Sequence, residues 1–218
     1  MAKRAKPADP RNKLIKAAFD AAIRDGWRGL SIARVAKAAG LSVGDAYKVA
    51  PDRMSLLDSY IDDIDAKAVE QMAQESDDDT WRDVAFDGFM RRFDTMLKDR
   101  DALRVIYFDD RHDLVALAHT ARRTRRSIER VLEASGFAND TLSLRLGATA
   151  LVPLYARVFR TWLNDEVDQA RTMAALDKAL QRFERLAARF MREGDARPGA
   201  GSGEEEGDAS DAPSGSVH

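Results

Sequence analysis

Cysteine is absent from the 218 residues, which excludes disulfide scaffolds, thiolate metal sites and cysteine nucleophiles and agrees with a reducing compartment. Histidine is nearly as scarce, with His112, His119 and His218 the only three. His112 and His119 stand seven residues apart beside Asp109, Asp110 and Asp113, but no HExxH or comparable ligand spacing is present. No Ser/His/Asp set and no Gly-rich phosphate loop stands out either. The expectation is no catalytic residue, no metal and no cofactor. The opening Met-Ala-Lys-Arg-Ala-Lys is basic but lacks the apolar core of a signal peptide, and no apolar run approaches membrane-spanning length. Alternating β patterns and hairpin signals are few. What remains is a soluble, all-α, cytoplasmic protein, since 44% hydrophobic and 33% charged residues suit a packed globule of this length.

The net charge of −2 conceals a division along the chain. Residues 1–50 hold eleven Lys and Arg against four Asp, a balance of +7. Residues 51–80 hold two bases against ten acids, or −8, and residues 194–218 hold one Arg against six acids, or −5. A basic first segment is the electrostatic footprint of phosphate contact, although Lys and Arg on a small helical unit also serve simply to solvate it. Residues 1–8 read as a flexible basic arm and 194–218, rich in Gly, Ser, Pro and Glu, as a disordered acidic tail.

Between them the spacing predicts helices. Asp9-Pro10 is an N-cap followed by proline at the first helical position, opening a helix to about Asp25 with Leu14, Ala17, Ala18, Phe19 and Ile23 on its apolar face. Ser31 caps a helix that carries Ile32, Val35 and Ala36 and ends at Ala39-Gly40. Ser42 caps a second short helix through Val49, and Pro51 marks the start of a longer one reaching about Gln74. Two short helices joined by a Gly-containing turn are the helix-turn-helix pattern. Beyond lie helices over about 80–98, 101–108, 113–135, 140–163 and 169–192, the last with Met173, Leu176, Leu180, Phe183, Leu186 and Phe190 on one face.

Gly26, Ser31, Ile32-Ala33, Ala39-Gly40-Leu41-Ser42, Gly44, Tyr47 and the Pro51-to-Leu57 helix start resemble the N-terminal module of the TetR-type one-component regulators. The resemblance covers roughly residues 10–57. It departs from the family pattern in the reading helix: Val43 replaces a basic or polar residue, Asp45 replaces Thr or Ser, Val49 replaces His, and Ala50 replaces Phe. Arg53 stands for Lys.

The resemblance implies a DNA-binding helix-turn-helix over 9–50, an effector-binding and dimerisation region over 51–193, double-stranded DNA as partner, a homodimer, and repression relieved by a small ligand. Ser31, Ser42, Val43, Asp45, Tyr47, Lys48 and Arg53 are then the candidate DNA-contacting residues. Asp45 can accept from a cytosine amino group but repels a phosphate. Phe86, Phe89, Met90, Phe93, Tyr107, Phe108, Tyr155 and Phe159 are candidates to line an apolar, lipid-like effector's pocket, or else plain core. Leu144, Leu151, Trp162, Leu176, Leu180 and Phe183, on the last two long helices, offer a dimer face if they do not close the core of one protomer.

Two features remain. The run Arg122-Arg123-Thr124-Arg125-Arg126, with Arg130, suits either an anionic group or a wet helix face paired with neighbouring acids. Leu154-Tyr155, Trp162-Leu-Asn-Asp165, Asp168, Thr172 and Leu176-Asp177 are similar to the closing helices of the ubiquinone-biosynthesis auxiliary proteins, which implies a DNA-silent, lipid-binding alternative on the same fold.

Overall fold

The computed structural model describes residues 9–72, 80–138 and 140–195, without the side chains from 189 onward. The expected basic arm, the end of the helix predicted to about Gln74, Phe190 in its helix stripe and the tail beyond Asp195 lie outside the described residues or side chains. Within them all regular structure is helical, in the order α1 (Pro10–Asp25), α2 (Ile32–Ala39), α3 (Val43–Val49), α4 (Arg53–Met72), α5 (Trp81–Met96), α6 (Arg100–Asp110), α7 (Leu114–Ala134), α8 (Thr141–Trp162) and α9 (Ala170–Asp195).

Asp9, Ser31 and Ser42 supply the caps expected of them, and Thr80, Asp113 and Asp140 supply others. Asp9, Ser31, Ser42, Thr80, Asp113 and Asp140 each accept a backbone N–H of the first turn they precede. Gly40 closes α2 in the left-handed region at φ 66°, and Leu41 N–H returns to the Ala36 carbonyl. That bond geometry ends one helix and turns the chain into the next within two residues. The predicted helix over 80–98 instead stops at Met96, and a tighter 3-10 turn, Leu97–Asp99, passes directly into α6. Gly194 and Asp195, assigned to the tail by composition, extend α9.

One hydrophobic core runs from Leu14 in α1 to Phe183 in α9, with Trp27 and Trp162 fully buried. Helices α4 and α5 approach closely because Gly88 has no side chain: a Cβ there would lie 2.4 Å from Met72 Sδ and 3.2 Å from Val131 Cγ1. The α8–α9 corner is fixed by polar bonds. Trp162 Nε1–H donates to Gln169 Oε1 at 3.0 Å, and Asp165 Oδ2 accepts from both the backbone N–H and the hydroxyl of Thr172, each at 2.7 Å. Burial alone would raise the Asp165 pKa, but these bonds from Thr172 hold it below the ordinary value. The residues similar to the ubiquinone auxiliary proteins are thus, at Trp162, Asp165 and Thr172, the pieces of a helix corner.

The residues expected at the dimer face lie inward within one protomer. Leu151, Trp162, Leu176, Leu180 and Phe183 are buried inside the protomer's own core, and Leu144 is half-buried against it. They close the chain on itself because α8 and α9 turn these faces inward, toward α7 and α5. The apolar residues that α8 leaves outside are Leu142 and Leu146, 68% and 62% exposed, followed at helical spacing by Ala150 and Pro153. α8 is also long and apolar enough to cross a membrane by length and composition, contrary to the reading of the sequence, and 22% of its most apolar window is buried.

Candidate DNA-reading head and ligand cavity

Helix α3 stands on the α1–α2 scaffold through Ala46, which is fully buried, and turns Val43, Asp45, Tyr47 and Lys48 outward. Val43 is 44% and Tyr47 50% exposed, so both large side chains face solvent in good part. Ser42 Oγ accepts the Asp45 N–H at 3.0 Å and donates to Asp45 Oδ2 at 2.7 Å. Lys48 Nζ in turn lies 3.0 Å from Asp45 Oδ1. The Ser42 hydroxyl first, and Lys48 second, hold the Asp45 carboxyl below the usual carboxylate range. The acid that departs from the family pattern is therefore the acceptor that ties the cap and the cation of α3 together.

Ser31 is exposed and caps α2 through Arg34 N–H at 3.3 Å. Arg34 pairs with Asp25 at 2.9 Å, as does Arg24. Arg53, at the start of α4, is half-buried, and its Nε has no hydrogen-bond partner. It faces the body of the molecule, where its charge acts on Asp110 and Asp113. Among the expected DNA contacts Arg53 is thus set apart from the exposed group.

The cavity lies between α4, α5, α6, α7 and α8 and measures about 160 Å³. Leu57, Ile61, Met96, Leu103, Ile106, Tyr107, Leu117, Ala156 and Phe159 give it an apolar wall, and Arg92, Asp110, Arg111, Thr120, Arg123, Thr124, Ser127 and Tyr155 add polar groups. Three of the eight expected ligand contacts, Tyr107, Tyr155 and Phe159, line it. Phe89 and Phe93 are fully buried behind Tyr155, their ring centroids 5.3 and 5.6 Å from its own, and serve as core. Phe86 and Met90 pack on the core away from the cavity, and Phe108 sits at the surface under the Arg111 guanidinium. Aromatic periodicity did not separate lining from backing, nor set Phe108 apart as a surface residue. A second recess of about 560 Å³ between α1, α4 and the end of α5 is walled largely by charges, including Lys16, Asp20, Asp63, Lys67, Lys98 and Asp99.

A buried ionic cluster backs the cavity. Arg92, 3% exposed, donates through Nε to Asp65 at 2.8 Å and through a terminal nitrogen to the Tyr155 hydroxyl at 2.5 Å. Asp65, fully buried, also accepts from Ser127 at 2.7 Å and Arg130 at 2.9 Å. Burial opposes the charge on Arg92, but Asp65 beside it raises its pKa above the ordinary arginine value. Arg123 pairs with Asp58 at 3.2 Å, Arg130 also with Asp62 at 2.6 Å, and Arg125 with Glu129 one turn away. Arg123 and Arg130 of α7 are therefore matched to the Asp-rich stretch of α4. The two features had been visible separately in the sequence, without a signal that they face each other.

Head and cavity meet at the end of α6. Asp109 Oδ2 accepts the backbone N–H of Trp27, in the α1–α2 corner, at 2.6 Å. Its neighbour Asp110 lines the cavity and is 5% exposed, and neither carboxyl oxygen has a hydrogen-bond partner among the described residues. Burial raises the Asp110 pKa against the opposing pull of Arg53 and Arg123. His119 lies 3.2 Å from Asp58. Among the described residues no group of three or more acids or histidines is placed to hold a metal ion.

No protein-family model matches the sequence, and no curated protein matches it as a relative. Solved structures do match in shape. A TetR transcriptional regulator from Nitrosomonas europaea ATCC 19718 superposes with a TM-score of 0.59 at 18% identity, over 83% of this chain and 99% of its own. One from Rhodococcus sp. RHA1 gives 0.58 at 18% identity, over 80% and 95%. FadR of Thermus thermophilus, a TetR-family repressor in complex with lauroyl-CoA, gives 0.50 at 18% identity, over 94% and 100%. The chain has the TetR fold: an all-α body carrying a three-helix helix-turn-helix head.

Proposed function

We propose that the chain is a TetR-type transcriptional regulator whose grip on duplex DNA is set by a small ligand. The observation that carries this reading is the outward face of α3: Val43, Asp45, Tyr47 and Lys48 are exposed together on a helix whose inner side is fully packed. Side chains presented this way serve a surface outside the chain, and a basic helix-turn-helix suits the major groove, with Ser42 and Lys48 toward phosphates and Tyr47 toward base edges. Residues 9–50 form the reading head, and residues 51–193 form the sensing and dimerising body.

The ligand acts from the cavity. Its α6 wall ends in Asp110, and the neighbouring Asp109 holds the Trp27 N–H of the head, so a ligand that displaces α6 moves the α1–α2 corner with it. It changes DNA affinity to the extent that it binds one arrangement of the heads better than the other. Repression by covering an operator, relieved by such a ligand, is the mode of action proposed. The dimer that places two heads on two half-sites forms across the exposed α8 stripe of Leu142, Leu146, Ala150 and Pro153, which a protomer alone leaves in water.

A second reading, a DNA-silent accessory protein, draws support from the pairing of Lys48 with Asp45, which neutralises the one cation of α3. The test is binding of the purified protein to duplex from its own upstream region beside a scrambled duplex at two salt concentrations. Preference for the native duplex that weakens as salt rises supports the regulator. A folded dimer that binds neither duplex at low salt supports the accessory protein.

A further inference from the structure

We infer that the cavity selects a compact apolar molecule bearing a hydrogen-bond-donating, preferably cationic nitrogen, and that Asp110 receives that nitrogen. The inference rests on the regulator reading in taking this cavity as the effector site, and it names the effector's chemical class. The polar groups of the wall differ in one respect. Arg92 is bonded to Asp65 and Tyr155, Ser127 to Asp65, and Arg123 to Asp58 and Thr120. Arg111 donates to His112 at the surface. Asp110 alone among these charged and bonded groups has both polar atoms buried with no partner among the described residues.

The position of Asp110 is costly in two further ways. It stands at the C-terminal end of α6, where the helix dipole disfavours a negative charge. It also lies beside Asp109 and Asp113, whose charges oppose its ionisation, with Arg53 and Arg123 favouring it from α4 and α7. A buried carboxyl that gains no bond from its own fold is a poor packing element, since an apolar side chain of similar size would avoid the desolvation. An N–H brought into the cavity supplies the missing donor, and a cationic one also favours the carboxylate form. An anionic ligand has the opposite difficulty, because the buried cations Arg92 and Arg123 are already matched to Asp65 and Asp58.

Size narrows the class. A cavity of about 160 Å³ is comparable to the roughly 150 Å³ apolar cavity that holds benzene in an engineered protein. A single-ring amine fits it, and a long acyl chain does not fit without rearrangement.

The experiment is calorimetric titration of the full chain with benzylamine, benzyl alcohol, toluene and benzoate, which share one ring and differ in head group. Benzylamine is expected to bind about tenfold or more tighter than toluene, the equivalent of one charge-assisted hydrogen bond. Benzoate is expected to bind weakest. Asp110→Asn should remove the amine's advantage over benzyl alcohol while leaving toluene binding intact, which also certifies the fold. Ala156→Trp, at the cavity rim, should abolish binding of the amine. Benzoate binding as tightly as benzylamine, an amine preference unchanged in Asp110→Asn, binding that survives Ala156→Trp, or no probe binding at all would each overturn the inference. Duplex binding is scored separately. A chain that takes benzylamine through Asp110 but binds no duplex keeps this inference and loses the regulator reading.

Discussion

Removal of the Arg92 guanidinium should destabilise the protein more than any surface change, and by an amount the cluster itself bounds. Arg92→Met keeps most of the side chain's volume but strips Asp65 of its shortest cationic contact and the Tyr155 hydroxyl of its bond. Breaking a buried ion pair from one side costs roughly 3–5 kcal/mol, because the remaining charge stays buried without compensation. Arg130 at 2.9 Å and the Ser127 hydroxyl at 2.7 Å still donate to Asp65, so the loss should fall near the lower end, about 3 kcal/mol. Asp65→Leu leaves Arg92 buried with no acid bonded to it and should fall near the upper end, about 5 kcal/mol.

The double variant Asp65→Leu/Arg92→Met replaces both charges and leaves hydroxyl groups unpaired, a cost of about 1–2 kcal/mol. Thermal unfolding followed by circular dichroism reads these directly, since each kcal/mol moves the midpoint by about 2–4 °C in a chain of this size. The single variants should lose about 6–20 °C, and the double should be more stable than either. Single variants that unfold within about 2 °C of the parent, or a double variant equal to the sum of the singles, would refute the cluster's role.

Other outcomes follow from the same contacts. Asp110 binds its proton more tightly folded than unfolded, so its contribution falls as pH rises from the ordinary aspartate value toward the raised one. Asp110→Asn should therefore stabilise the protein at neutral pH, by about 1 kcal/mol or more, and lose that gain in acid, as paired denaturation curves would report. Asp165 has the opposite sign. Its lowered pKa contributes stability above the ordinary aspartate value that is lost as pH falls through the folded one, and Asp165→Ala should remove about 1–3 kcal/mol at neutral pH and flatten the acid limb. In α3, Asp45→Asn should release Lys48 and tighten duplex binding several-fold at low salt. Lys48→Ala should weaken it for all sequences and reduce the salt slope by about one.

The fold was legible because its signals are local. Asp9, Ser31, Ser42, Asp113 and Asp140 cap helices by bonds to residues two or three positions on, and Gly40 ends α2 by its own backbone freedom. The site was less so because its signals lie far apart in the chain. Asp65 and Arg92 are 27 residues apart, and Asp109 holds an N–H 82 residues away. Nothing in the local pattern of α4 distinguishes the fully buried Asp65 from its half-exposed neighbours Asp62 and Asp63. Which side of α8 turns inward was illegible for a related reason: Leu151 and Leu146 are equally apolar on one helix, and burial by α7 and α9 decides which of them is left outside.

The proposal that the exposed face of α3 grips DNA in a salt-sensitive way carries the whole functional account. Duplex binding by the parent protein and Lys48→Ala, across two salt concentrations, tests it most directly. The account predicts native-duplex preference that weakens steeply with salt and less steeply in the variant. Folded dimer with no affinity for either duplex at low salt, or identical curves for parent and variant, would contradict it.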